Sequence, residues 1–182
     1  MLPLNDLRWS ELCTRNGDAA WVPRRIATLL ERPDDLPAFQ DLWPWLCSEG
    51  TAWSAAYAAV PYVVELAKRL PPDLRFEHIY FVGLVVMCSG SDALPSTEEE
   101  IAIKPYLLDS YRSALREIMP LLAETLICEH HLSDTRLILA AAAALKGHPK
   151  LGDVLNRLDC ISGECPKCGE CVFPEELQEV AG

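Results

Sequence analysis

The C-terminal stretch "CISGECPKCGEC", Cys160 to Cys171, places four of the chain's eight cysteines within twelve residues. Thiolates are ligands for soft or borderline metals and nucleophiles in redox exchange. Cys165 and Cys168 have the spacing of a zinc knuckle, in which a tight turn aims two sulfurs at one tetrahedral ion, and Gly169 permits that turn. A closed site needs four ligands, so the predicted metal set is Cys160, Cys165, Cys168 and Cys171 around a structural zinc, with His148 as a substitute ligand. Three other readings stay open. Cys165, Cys168 and Cys171 match the first three ligands of a bacterial ferredoxin run, but Glu175 stands where the fourth cysteine belongs. A redox C-x-x-C lacks a thioredoxin-like strand and helix around it. The third is a turn with free thiols or disulfides and no metal.

The rest of the chain offers little chemistry. "CEHHLSD" (Cys128 to Asp134) gathers ligand types, but adjacent histidines on a helix project about a quarter turn apart and do not easily share an ion. A helix-end loop is the expected structure there. Cys13, Cys47 and Cys88 lie among apolar residues and read as small core side chains. "SGSDALPS" lacks the lysine of a phosphate loop, and neither H-E-x-x-H nor G-x-S-x-G occurs. The reading is therefore non-enzymatic, with a metal- or thiol-dependent redox activity at the tail as the alternative.

Half of the 182 residues are hydrophobic, enough for a sizeable core. The formal net charge of -11 disfavours nucleic acid and anionic membranes, and it suits a basic protein partner. The start "MLPLNDLRWSEL" lacks a basic segment followed by an apolar run, and "IYFVGLVVMC" is too short to span a bilayer. A cytoplasmic location is expected, where cysteines persist as thiols or metal ligands.

The elements that position these groups read as helices. "WVPRRIATLLE" (Trp21 to Glu31) is the first. The second, "LPAFQDLWPWLCSE", has Asp34 or Asp35 as its cap and Gly50 as its stop. Thr51 is the expected cap of the third, Ala52 to Leu70, whose stripes Trp53, Tyr57, Val60, Val64, Ala67 and Ala52, Ala55, Ala59, Tyr62, Leu66 predict burial on two faces. The fourth, from about Leu74 to Cys88, has a β-branched centre that also fits a strand; its helical surroundings favour helix. Ser89 to Glu100 is a loop carrying the acidic run Glu98 to Glu100. A fifth helix spans about Lys104 to Glu129, with Leu107, Tyr111, Leu115, Ile118, Leu122 and Leu126 facing the core. "SDTRLILAAAAALKG" has Ser133 as cap and Gly147 as stop, and a short seventh puts Leu151, Val154, Leu155 and Leu158 on one face.

Three helices share an apolar-proline pattern at Pro23, Pro61 and Pro120, with Glu65 and Glu124 four residues after the last two. Recurring bends of this kind point to stacked helical pairs, unless the prolines only begin separate helices. The stretch "LCSEGTAWSAAYAAVPYVVELA", with Trp43, Leu46, Gly50, Thr51, Ala55, Ala58 and Pro61, resembles a group of bacterial HEAT-like repeat proteins. The G-x-C-P-x-C-G element from Gly163 to Gly169 is similar to one at the end of that group's chains. The resemblance implies an all-α fold: a short HEAT-like α-solenoid of about seven helices over residues 1–158, with a small Cys-rich C-terminal extension over 159–182. Some relatives in the group look like immunity proteins of toxin systems. The resemblance thus implies a protein-binding module, toxin-neutralising or, alternatively, a general scaffold.

Overall fold

The computed structural model describes residues 1–48, 50–89, 102–128 and 130–158, and the backbone of 163–164 and 171–172. Where the sequence has helical apolar spacing, the chain is helical. Seven helices occur among the described residues: α1 (Val22–Glu31), α2 (Leu36–Leu46), α3 (Ser54–Arg69), α4 (Phe76–Cys88), α5 (Leu108–Leu126), α6 (Leu132–Leu145) and α7 (Pro149–Asn156). Strands there are limited to three antiparallel pairs of two residues each. β1 (Cys13–Thr14) pairs with β2 (Gly17–Asp18), β3 (Cys47–Ser48) with β4 (Thr51–Ala52), and β5 (Gly163–Glu164) with β6 (Cys171–Val172). The fold class is all-α.

α3 is the centre of the core. Every residue in it except Glu65, Lys68 and Arg69 is buried, as its two apolar stripes require. It packs against α1, α2, α4 and α5. Two polar bonds tie the chain's first residues to it: Tyr62 Oη donates to the Leu2 carbonyl at 2.6 Å, and Ser54 Oγ accepts from the Cys13 amide at 2.8 Å. The predicted burial of Trp53 and Tyr57 is observed.

Consecutive helices form pairs, α1/α2, α3/α4 and α5/α6. Odd-numbered helices touch each other, α1 to α3 and α3 to α5. On the even side α4 packs on α6, and Phe39 and Trp43 of α2 meet Phe81 of α4 edge to face. The α4–α6 approach is close because Gly83 has no Cβ; one there would overlap Ala141. α7 folds back onto α6 and α4, where a Cβ at Gly152 would come within 2.7 Å of the Ala140 carbonyl.

The prolines divide as their positions demand. Pro23 lies in the first turn of α1, where its missing N–H costs nothing. Pro61 and Pro120 lie inside α3 and α5, and Pro44 inside α2, each leaving a carbonyl one turn back without its helical donor.

Several local expectations are corrected. α2 ends at Leu46, not at Gly50: Cys47 and Ser48 turn back through Gly50, at φ 77°, to pair with Thr51 and Ala52. Thr51 is thereby used in a hairpin and buried, and Trp53 holds the N-cap position of α3. Ser133 lies inside α6, which starts after His131. On α5, Thr125 is buried and Leu126 faces out, and Leu115 is half-buried. The apolar face of α7 is exposed: Leu151 keeps 53% and Val154 52% of their surface. Residues 90–101, with Glu98 to Glu100, lie outside the described residues.

Candidate functional site

Alternation of helix direction brings the three turns within the pairs to one end of the rows. There they enclose a pocket of about 370 Å³. Asp34 comes from the α1–α2 turn, Asp73 from the 3-10 turn Pro72–Leu74, Glu77 and His78 from the start of α4, and His130 and Asp134 from the α5–α6 junction. Leu36, Leu70, Leu74 and Phe76 supply apolar wall.

The wall is braced by polar bonds. Arg75, buried between α3 and α5, donates from Nε to the Leu70 carbonyl at 2.8 Å and pairs with Glu124. Thr125 Oγ1 donates to the Pro72 carbonyl at 3.1 Å, and His130 Nε2 bonds the Thr125 carbonyl at 2.8 Å. Thus the 3-10 turn that carries Asp73 is fixed to α5 from two sides. Glu77 accepts from Gln40 Nε2 at 3.0 Å, which joins α4 to α2.

His78 is the unusual member. It is 1% exposed and stacks on Phe39, ring centroids 4.4 Å apart. Neither ring nitrogen has a hydrogen-bond partner among the described residues. Burial drives its pKa down to about 4, so the ring is neutral at neutral pH. A neutral imidazole offers one donor and one acceptor, and leaving either unmade in the interior costs about 1–3 kcal/mol.

Among the described residues, no lysine or arginine lines the pocket. Glu77 and Asp134 stand in the first turns of α4 and α6, where a carboxylate offsets the positive helix end. Asp34 and Asp73 lie outside helices, and the negative ends of α1, α3 and α5 arrive at the same side. Four carboxylates therefore dominate, and the pocket attracts cations. Among the described residues no group of three or more His, Cys, Asp or Glu is arranged to hold a metal ion.

Of the sequence-predicted metal residues, Cys160, Cys165 and Cys168 lie outside the described residues. Cys171 is described through its backbone alone, opposite Glu164 in the β5–β6 pair. His148 is exposed at the start of α7. From "CEHHLSD", His130 and Asp134 reach the pocket, whereas His131 is exposed. The sequence reading missed this site, because its groups come from three turns far apart in the chain. One signal was readable: Pro33-Asp34 and Pro72-Asp73 recur about one repeat apart, each between paired helices. No known family, curated protein or solved structure matches the chain.

Proposed function

We propose that the chain is a non-enzymatic protein-binding module, a short HEAT-like stack whose turn-end pocket receives a basic side chain of its partner. The observation that carries this reading is the pocket itself: four carboxylates, apolar walls for an alkyl stem, an unpartnered imidazole at its border and, among the described residues, no lysine or arginine in its lining. A lysine or arginine satisfies both parts, with its stem on Leu70 and Leu74 and its charge-assisted hydrogen bonds on the carboxylates. The net charge of -11 would steer such a partner over a longer range. The pairing of helices and the contacts within each row support the stacked arrangement. Toxin neutralisation is the biological role we attach to it, on the resemblance of Trp43 to Pro61 and Gly163 to Gly169; a general scaffold is the alternative.

The test is calorimetric titration of short arginine- and lysine-rich peptides into the wild-type chain and into an Asp73→Asn/Asp134→Asn variant. Binding that weakens with salt and falls about tenfold or more in the variant is expected, equivalent to about 1.4 kcal/mol. Equal affinity in both proteins, or no binding at low salt, overturns the reading.

We also propose that the extension over 159–182 carries a structural zinc. The supporting observation is the β5–β6 pairing, which flanks Cys165 and Cys168 on both sides. Protein purified without chelator should hold about one zinc per chain, and Cys165→Ser/Cys168→Ser should abolish it. Metal-free protein with four titratable tail thiols refutes the zinc, and a redox-active tail would then be the reading to pursue.

A further inference from the structure

The opposite end of the helix rows, where the β1–β2 and β3–β4 hairpins lie, carries a surface of another kind. Trp21 holds the N-cap position of α1, and Trp45 stands one residue before the end of α2. The two helices are joined by a short turn, so the start of one lies beside the end of the other. Their rings meet edge to face, with centroids 6.4 Å apart and planes at 88°. Both rings stay in water, Trp21 at 39% and Trp45 at 38% exposure. Their chain neighbours Val22 and Leu46 are buried, so the core fixes the backbone beneath each ring.

Each ring borders its own groove. Trp21 shares one with Arg24, Arg25 and Thr28, and Trp45 shares the other with Arg15, Asn16 and Pro44. The Arg15 amide donates to the Trp45 carbonyl at 2.9 Å, which holds the β1–β2 hairpin against the end of α2 and brings Arg15 to this place. Arg24 and Arg25 are exposed and make no ion pair among the described residues. No carboxylate among those residues lines either groove. The basic character is local. Residues 1–32 hold five arginines against four Asp and Glu, in a chain whose net charge is -11.

Trp and Arg dominate binding energy at protein interfaces, and a Trp ring brings a large apolar area to cover. A guanidinium grips a carboxylate through two parallel N–H bonds and also lies flat on aromatic rings. The grooves therefore suit carboxylates, and the rings between them suit an apolar group. A nucleic acid fits less well. Rings at 88° make no platform for successive stacked bases, and the net charge repels a continuous phosphate backbone. A peptide with a few carboxylates meets far less of that repulsion.

We propose that Trp21, Trp45, Arg15, Arg24 and Arg25 form a second docking surface, which takes a short acidic segment of a partner protein with an aromatic residue among its carboxylates. The aromatic residue covers the tryptophan pair, and carboxylates on its two sides reach the arginines of the two grooves. This surface is independent of the turn-end pocket, which takes the opposite charge.

The test titrates acetyl-Glu-Glu-Phe-Glu-Glu-amide into the isotope-labelled full-length chain and follows the tryptophan indole N–H signals by NMR, with Trp21→Phe and Trp45→Phe supplying the assignments. Saturable shifts of the Trp21 and Trp45 signals are expected, while the buried Trp9 and Trp53 stay unmoved. Affinity should fall about tenfold or more in Arg24→Gln/Arg25→Gln, and also when alanine replaces the phenylalanine of the peptide. It should not fall in Asp73→Asn/Asp134→Asn, so failure here and failure of the pocket reading are told apart. Unmoved Trp21 and Trp45 signals, equal affinity in the arginine variant or for the alanine peptide, or tighter binding of oligothymidylate at the same signals overturns the proposal. So does a dimer of the chain that Arg24→Gln/Arg25→Gln dissolves, since the occupant is then a second copy.

Discussion

The two ends of the helix rows treat ionisable groups in opposite ways. At the turn end, Asp34, Asp73, Glu77 and Asp134 keep contact with water around a pocket, and His78 alone is neutralised by burial. At the hairpin end, thiols and phenols are drawn into the core, and Tyr57, Tyr80 and Tyr111 are held protonated. The connections explain the contrast. Turns within pairs are short and lie at the surface, so their polar side chains converge without being covered. Between α2 and α3 the chain instead makes a hairpin whose residues Cys47, Thr51 and Ala52 are buried, and it seals what lies beneath. Position relative to the connections decides which polar side chains keep contact with water.

The sharpest way to break this contrast is at the sealed end. Trp53, 8% exposed at the start of α3, should lose about 3–5 kcal/mol on Trp53→Ala, from lost transfer energy plus a cavity, read by urea denaturation. A loss of a few tenths would show that this end is open. The next effect belongs to the turn end and depends on pH. His78 has a pKa of about 4 when folded and an ordinary value of 6.5, so the unfolded chain binds the extra proton between them. Stability should therefore rise with pH from about 4 to 6.5, by something on the order of 3 kcal/mol, and be independent of His78 above that. His78→Leu should flatten this limb; an unchanged acid limb would mean that His78 is solvated. The smallest effect lies between the ends. Lys68 joins α3 to α5 through Glu117 and pairs with Glu65 of its own helix, each at 2.6 Å, but all three are substantially exposed. Lys68→Gln should cost no more than about 1 kcal/mol, less in high salt, by thermal melting.

Much of the frame was legible in the sequence. The double stripe of α3 had to be buried from both sides, and α4, with its β-branched centre, became a helix because both its faces find helical neighbours. The errors arose where tertiary structure took over a residue that local rules had assigned. Thr51 satisfies the local rule for a cap, yet the hairpin claims it. Leu126 completes a stripe on paper, but seven residues past Ile118 the inward position falls on Thr125, whose hydroxyl bonds the Pro72 carbonyl. The α7 stripe Leu151, Val154 and Leu158 reads as core, yet the small side that faces α4 and α6 carries Gly152. The pocket was the least legible part, because His78 sits in an apolar run and its neighbours there come from other turns.

The pairing of helices also bears on biosynthesis. Apart from α7 reaching back to α4, the substantial helix–helix contacts join elements one or two places apart in the chain. Such local topology predicts fast folding, because little loop entropy is lost before contacts form. A nascent chain can bury α1 and α2 as soon as α3 leaves the ribosome, and then add α5 and α6 to an existing surface. The late step is the return of α7 to α4. It follows that truncations before α3 is complete should leave an unfolded, protease-sensitive chain, whereas those after α5 should keep a folded N-terminal half.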